Sequence, residues 1–136
     1  MVGHGSTNIY VTEELLGECP KREQFLSGLV VNGSLCVTQA EEKPPMIMIR
    51  KGKLILPELT MEDTLRNFGA DGVFIKGANA LDLQHRKAAI LIGDSKAGTI
   101  GVALQAIVGR RVRLILPVGL EKRVPGDLDS LADRRR

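Results

Sequence analysis

Three residues at the ends of predicted strands are of types that can carry charge or proton chemistry: Lys76, Asp82 and Asp94. A lysine at such a position can neutralise a phosphate or a carboxylate, and an aspartate can act as a general base. We therefore take these three residues as candidate catalytic residues. The structural alternatives are a solvated strand end for Lys76 and turn positions for the two aspartates.

Two glycine-rich loops precede predicted helices and are typical of anion-binding sites. The first, GHGSTN, covers residues 3–8, and the second, GDSKAGTIG, covers residues 93–101. Small residues let backbone N–H groups approach an anion closely, and a helix N-terminus adds positive partial charge. The simpler alternative for the first loop is a helix cap from Ser6 or Thr7. The candidate ligand-binding residues are Gly3, Gly5, Ser6, Thr7, Gly77, Asn79, Gly98, Thr99 and Gly101.

Motifs for cofactors and metals are missing from the sequence. Neither loop has the spacing of a Walker P-loop or of the GxGxxG dinucleotide fingerprint, so we predict no cofactor. Cys19 and Cys36 lack CxxC spacing and a clustered histidine, so we expect two reduced thiols and no metal site. His4 lies in the first loop and is a candidate for orienting an anion, whereas His85 is expected in an exposed loop.

The first half of the chain predicts helices and two hairpins around these loops. A helix is expected over residues 9–16, and Asn32–Gly33 and Lys51–Gly52 are predicted hairpin turns. Thr60 is the predicted N-cap of a short helix over residues 61–68, with Asp63 completing the capping pattern.

The second half predicts a parallel βαβ unit. DGVFIKG, AAILIG and VRLILPVG are apolar runs typical of strands buried on both faces, and TIGVALQAIVGR has helical spacing. Polar and glycine residues follow each run, at 76–79, 93–95 and 117–119, where α/β sheets bind ligands. The predicted fold is a single three-layer α/β domain over residues 1–128, with a mainly parallel sheet, flanking helices and antiparallel hairpin additions. A basic, flexible tail is predicted over residues 129–136.

Composition excludes several classes of function. The chain has 136 residues with 43% hydrophobic content, enough for one domain with its own core. The formal charge of +3 matches the three arginines of residues 134–136, and aromatic residues are scarce. We therefore predict no nucleic-acid binding. No apolar run is long enough to span a membrane, so we predict a cytoplasmic protein without a membrane partner. Exposed hairpin edges predict a homo-oligomer.

Parts of the chain resemble known sugar-phosphate enzymes. GHGSTN followed by a helix resembles the GxGST loop of ribose-5-phosphate isomerase, whose superfold includes glucosamine-phosphate deaminase and the coenzyme A transferases. FIKGANALD and GTIGVALQAIVGRRVRLILPV resemble the late part of methylthioribose-phosphate isomerase and of the regulatory subunits of the initiation-factor nucleotide exchanger. The resemblance places Gly77, Ala78 and Asn79 in a GAD segment, with Gly98 and Thr99 at the following helix start.

The resemblance leaves two assignments open at this strand end. Asn79 stands where the methylthioribose-phosphate isomerase pattern has a proton-transferring aspartate, and asparagine transfers no proton at neutral pH. An alternative alignment pairs IKGANAL with a substrate-contacting stretch of ribose-5-phosphate isomerase and gives that contact to Lys76.

The sequence therefore predicts a site for a small anionic metabolite, such as a phosphosugar, a nucleotide or a carboxylate. The expected reaction types, if catalysis occurs, are sugar-phosphate enolisation and hydrolysis. The alternatives are a non-catalytic metabolite-sensing regulatory or interaction module, which Asn79 favours, and a purely structural subunit.

Overall fold

A computed structural model of the chain describes residues 1–32, 34–38, 40–56 and 58–133. It confirms the predicted mixed α/β class. The described helices are α1 Ser6–Leu16, α2 Met61–Arg66, α3 Gly98–Arg110 and α4 Leu128–Asp133. The described strands are β1 Gly28–Val31, β2 Ser34–Val37, β3 Met48–Arg50, β4 Lys53–Ile55, β5 Val73–Ile75, β6 Ala80–Asp82, β7 Lys87–Ala89 and β8 Arg113–Ile115.

The described strands pair in twos. β1 with β2, β3 with β4 and β6 with β7 are antiparallel, whereas β5 and β8 are parallel. A mainly parallel sheet was expected, and these strands contain one parallel pair. The short strands and their single-residue bridges to neighbouring segments replace the continuous sheet of the prediction.

Both predicted hairpins are present. In the β3–β4 hairpin, Lys51 and Gly52 have φ angles of 51° and 74°, the left-handed conformation that a tight turn of this kind requires. In the β1–β2 hairpin Val31 pairs with Ser34, and Asn32 has φ of 49°; Gly33, the other predicted turn residue, lies outside the described residues. Local turn chemistry therefore predicted both hairpins correctly.

The βαβ unit exists, but AAILIG is not one of its strands. The unit runs from β5 through α3 to β8, with Phe74 opposite Leu114. β7 instead pairs antiparallel with β6, and after it Leu91 and Ile92 are 53% and 50% exposed. The physical reason is the tight turn after Asp82, which reverses the chain into β7. An apolar run by itself does not specify the direction of strand pairing.

The cap of α2 agrees with the sequence prediction. The Thr60 side chain accepts a hydrogen bond from the Asp63 backbone N–H (3.1 Å), and the Thr60 hydroxyl donates to Asp63 Oδ2 (2.8 Å). The helix ends at Arg66 rather than at Phe68. Leu65 on its inner face packs in the core against α3.

The first three residues form an extended segment inside the fold. Val2 exchanges backbone hydrogen bonds with Ile47 (2.7 and 3.2 Å), and Met1 O and Gly3 N pair with Ile75 (2.9 Å each). Met1 belongs to one hydrophobic cluster and Val2 to another. The first cluster comprises Met1, Leu65, Phe74, Ile100, Ala103, Ala106 and Val112. The second comprises Val2, Ile9, Cys19, Phe25 and Ile47.

The C-terminal part of the described chain is helical. α4 extends to Asp133, so residues 129–133 of the predicted tail are ordered as a helix, and the Lys87 ammonium donates to Asp129 Oδ2 (2.6 Å). Residues 134–136 lie outside the described ranges. No helix in the described part of the chain is both long and apolar enough to cross a lipid bilayer.

Candidate functional site

The GHGSTN loop places the N-terminus of α1 beside the end of β5. Gly5 is the N-cap and has φ of 156°, in the region that favours glycine, and no side chain caps the helix. The simpler reading of Ser6 or Thr7 as a side-chain cap is therefore not what the structure shows. Both residues lie in the first turn, whose N–H groups have no partner within the helix.

The glycine N–H groups of this loop are already used. Gly3 N–H donates to Ile75 O and Gly5 N–H donates to Phe25 O, each at 2.9 Å. These two predicted ligand-binding residues therefore shape the loop instead of presenting their N–H groups to an anion. The amides that remain for a ligand are those of Ser6, Thr7 and Asn8, for which the described residues show no acceptor.

Asn8 is a buried polar residue at the same helix end that the sequence analysis did not single out. Its Nδ2 donates to Gly3 O (2.7 Å), and because that carbonyl only accepts, the amide orientation is fixed. Its Oδ1 is buried and has no hydrogen-bond donor among the described residues. This oxygen would lie 4.0 Å from a Cβ atom added at Gly77, so it faces the strand end after β5. Unsatisfied buried acceptors are rare and costly, so this one marks the space next to Gly77.

Two lysines flank the strand-end segment of residues 76–79. Lys76 is half-buried, and its Cδ would lie 3.6 Å from a Cβ atom added at Gly3, so its stem packs over the first loop. Lys122 donates from Nζ to Ala78 O (2.9 Å). Burial lowers the pKa of Lys76, and the positive charge of Lys122 lowers that pKa further. Neither lysine pairs with a carboxylate of the described residues.

The backbone of this strand end is held by β8 and β7. Lys76 N–H donates to Ile115 O (3.0 Å) and Ala78 N–H donates to Pro117 O (3.3 Å), so two of the three predicted strand ends meet. Asn79 N–H donates to Ala89 O (2.8 Å) and its Oδ1 accepts from Leu91 N–H (2.9 Å). The Asn79 side chain is therefore used in fixing β7, not in presenting an amide to a ligand.

No protein-family model, curated protein or solved structure matches the chain. The function must therefore be inferred from the residues of the site.

The second glycine-rich loop, residues 93–101, is stabilised by hydrogen bonds of its own. Asp94 Oδ1 accepts from Lys96 N–H (2.7 Å) and Asp94 O accepts from Ala97 N–H (2.9 Å), so Asp94 stabilises the turn before α3. A Cβ atom at Gly101 would lie 2.4 Å from Lys96 O, so Gly101 is required for the close approach of this turn. Gly98 and Thr99 begin α3, and Asp94 places a negative charge beside this helix N-terminus. Among the described residues, no hydrogen bond or ion pair joins this loop to residues 3–8.

Asp82 is the buried member of a polar cluster on β6. Its Oδ1 accepts from His85 N–H (3.0 Å) and its Oδ2 contacts His85 Nδ1 (2.8 Å). The His85 N–H hydrogen bond is the main reason that the pKa of Asp82 lies below its usual value. His85 is exposed in the turn after β6, as expected, and this carboxylate in addition orients its imidazole. The i, i+3 spacing of the two residues was the sequence signal that could have revealed the pair.

Asp127 and Lys87 complete this cluster. Asp127 Oδ1 lies 4.0 Å from His85 Nδ1, so Asp82, His85 and Asp127 bring one possible metal ligand each within 4.8 Å of the others. Lys87 Nζ lies 3.3 Å from Asp127 Oδ1 and 2.6 Å from Asp129 Oδ2, which supplies a positive charge to both carboxylates. The cluster therefore joins β6, β7 and the start of α4 through internal pairs.

His4 lies within the first loop, and one of its ring nitrogens is engaged by a backbone carbonyl. His4 Nε2 contacts Pro44 O (2.7 Å), and the imidazole packs on Phe25 with ring centroids 4.9 Å apart. Burial lowers the pKa of His4, the Pro44 hydrogen bond opposes this effect, and Lys43 and Lys76 lower the pKa further. His4 is consequently biased towards its neutral form.

Two cavities lie away from Lys76 and Lys122. A groove of about 920 Å³ runs between the β3–β4 hairpin and α2, with Met48, Ile55, Leu59 and Phe68 among its lining residues. A smaller cavity of about 300 Å³ adjoins His4 and Lys43. Neither lining includes Lys76 or a residue of α1. We assign the candidate site by its chemistry, since the buried Asn8 oxygen faces Gly77, next to Lys76, and Lys122 is held at Ala78 O.

Proposed function

We propose that this protein binds a small phosphorylated or carboxylated metabolite between the N-terminus of α1 and the strand-end segment of residues 76–79. The observation that carries the proposal is the buried Asn8 Oδ1 in the first turn of α1, which faces Gly77 and lacks a hydrogen-bond donor among the described residues. Gly77 follows Lys76 in the chain, and Lys122 is held at Ala78 O in the same segment. Neither ammonium has a carboxylate partner in the described part of the chain. An anion placed there receives hydrogen bonds from the helix end and charge from the lysines.

The two aspartates predicted as general bases are engaged in other contacts. Asp82 holds His85, and Asp94 holds the turn before α3, so each carboxylate has internal hydrogen-bond partners. Asn79 is likewise occupied by Leu91 N–H. These contacts favour a second candidate function, a metabolite-sensing module that binds the anion without aldose–ketose isomerisation or hydrolysis.

The proposal is tested with inorganic phosphate as the probe. Calorimetry and thermal unfolding of the whole chain should show saturable binding, and at a hundredfold excess over Kd the ligand stabilises the protein by about 2.7 kcal/mol. Lys76→Met and Lys122→Met should each weaken binding. Lys53→Met, which removes an exposed lysine on β4, is the matched control and should leave the affinity unchanged.

A further variant distinguishes phosphate binding at the first glycine-rich loop from phosphate binding at the second. Lys96→Met changes the loop before α3 and should leave phosphate binding intact if the ligand lies at α1. Loss of binding in Lys96→Met with retention in Lys76→Met would move the site to α3 and contradict the proposal. Equal weakening in all lysine variants would indicate general charge attraction and would also contradict it.

The fold arrangement, the superfold and the cellular location of this protein are proposed from the sequence alone. The three-layer arrangement, the relationship to the ribose-5-phosphate isomerase superfold and a cytoplasmic location are supported by the motifs and the composition described above. A fold of that kind hosts many activities, so the ligand class is argued here from the lysines and the helix end.

A further inference from the structure

We propose that Lys76 forms an imine with the carbonyl carbon of a small phosphorylated or carboxylated aldehyde or ketone held at the N-terminus of α1. This inference rests on the proposed anion site. It narrows the ligand class to anions that carry a carbonyl group, and it assigns a covalent step to one residue.

The position of Lys76 suits a nucleophilic amine more than a simple ion-pairing residue. Its backbone is fixed by the hydrogen bond to Ile115 O, and its stem packs over Gly3. No carboxylate in the described ranges neutralises its ammonium group. A half-buried lysine without a counter-ion is poised to lose its proton, because the charged form is poorly solvated there.

Lys122 strengthens this tendency. Its ammonium is tied to Ala78 O at 2.9 Å, so it is held close to the segment that begins with Lys76. Burial and this second positive charge both lower the pKa of Lys76. Each unit of such lowering provides roughly ten times more neutral amine at pH 7. A lysine next to another cation in a partly desolvated site is a recognised arrangement for imine formation.

Asn8 is an independent sign that a ligand belongs beside this lysine. Its buried Oδ1 faces Gly77, the residue that follows Lys76, and lacks a hydrogen-bond donor in the described structure. Hydroxyl groups of a ligand, and the hydroxyl of the addition intermediate, are donors of the kind that this acceptor lacks. The α1 amides hold the anionic group and Lys76 receives the carbonyl carbon.

The reaction is balanced without a redox partner. The lone pair of the neutral Lys76 amine attacks the carbonyl carbon, a C–N bond forms, and the π-electron pair of the carbonyl moves to oxygen. Transfer of a proton from nitrogen to that oxygen gives a carbinolamine. Loss of water, with the second N–H proton leaving on it, gives the C=N bond. The net change is amine plus carbonyl to imine plus water.

The experiment uses pyridoxal 5′-phosphate, a probe that carries both an aldehyde and a phosphate. The folded whole chain is incubated with the probe near pH 7, reduced with borohydride and digested, and the modified lysines are quantified by mass spectrometry. Lys76 should be modified several-fold faster than the exposed Lys53, because burial lowers the pKa of Lys76 and the bound phosphate group of the probe holds the aldehyde beside it. Inorganic phosphate should slow the modification of Lys76 but not that of Lys53.

Three variants make the result specific. Lys76→Arg keeps the positive charge, so phosphate binding should persist while the fast modification disappears. Lys122→Met should slow the modification of Lys76, because the neighbouring charge is removed. Lys53→Arg is the matched control and should leave the modification of Lys76 unchanged. Circular dichroism and thermal unfolding of each variant show whether it is folded.

The outcomes separate this inference from the proposed function. Modification of Lys76 no faster than that of Lys53, with phosphate binding intact, would overturn the imine and leave the anion site standing. Fast modification that phosphate does not slow would overturn the placement of the reacting ligand at α1. Absence of phosphate binding to the wild-type chain would remove the anion site itself.

Discussion

His4 illustrates how one side chain can be adjusted by burial and neighbouring charge. The imidazole lies between Phe25 and Pro44, and two lysines add positive potential. The sequence placed His4 in the first loop, but its packing depends on residues 21 and 40 positions away. Single side chains could therefore be named from the sequence, whereas their environments could not. Asp82 and His85 show the same limit, since their pairing needs the turn geometry.

The depressed pKa of His4 predicts a pH-dependent stability. Because the folded pKa is below 6.5, the folded state binds fewer protons than the unfolded state between the two values. The contribution of His4 to stability is complete above pH 6.5 and is lost as pH falls through the folded pKa. Urea unfolding at pH 7.5 and 5.5 measures this loss. His4→Gln, which keeps a side-chain donor, should lose less stability over this interval than wild type; an identical loss would refute the prediction.

At the scale of elements, the predictable parts of the fold were those encoded by neighbouring residues. Both hairpins, the Thr60 cap and the helical spacing of α3 follow from local turn chemistry, capping and periodicity. The predicted parallel pairing of β7 was wrong, because the turn after Asp82 reverses the chain and makes β7 antiparallel to β6. The pairing of residues 1–3 was not predicted, because the partners Ile47 and Ile75 are distant in sequence. The position of Lys76 beside the first loop could be predicted only from the rule that α/β sheets gather their ligand-binding residues at the carboxyl ends of the strands.

The two helix starts predict losses of stability of different size when a hydroxyl is removed. Thr60→Ala removes the side-chain cap of α2 and should lower the free energy of unfolding by about 1 kcal/mol. Ser6→Ala should change it by only a few tenths of that, since Gly5 is the cap of α1 and Ser6 forms no capping hydrogen bond. Chemical denaturation of both variants, without added anion, measures the difference. A larger loss in Ser6→Ala than in Thr60→Ala would contradict these assignments.

At the scale of the whole molecule, the hairpins leave an edge that a second copy of the chain can cover. None of the described strands pairs with the outer edge of β4, and Leu56, directly after it, is 69% exposed. Leu54, Ile55 and Leu59 extend this apolar surface. We propose this edge as the contact of the homo-oligomer expected from the sequence, because identical edges can pair about a two-fold axis.

If the edge of β4 forms the dimer contact, a charge introduced beside β4 should weaken the dimer, whereas a charge elsewhere should not. Wild-type protein should elute as a dimer in size-exclusion chromatography with light scattering, and Leu56→Lys should shift it towards the monomer. Leu120→Lys alters a leucine that is 71% exposed elsewhere on the molecule and should leave the dimer intact. A wild-type monomer, or equal effects of both substitutions, would show that β4 is not the interface.

The internal position of the first three residues has a consequence for folding during synthesis. Val2 and Gly3 are synthesised well before their backbone partners Ile47 and Ile75. The end of β5 in turn pairs with β8, which ends at Ile115. Long-range pairings form late, so the nascent chain carries an unpaired first segment and an open α1 loop through most of translation. The candidate site beside Lys76 is consequently assembled only when most of the described chain has left the ribosome.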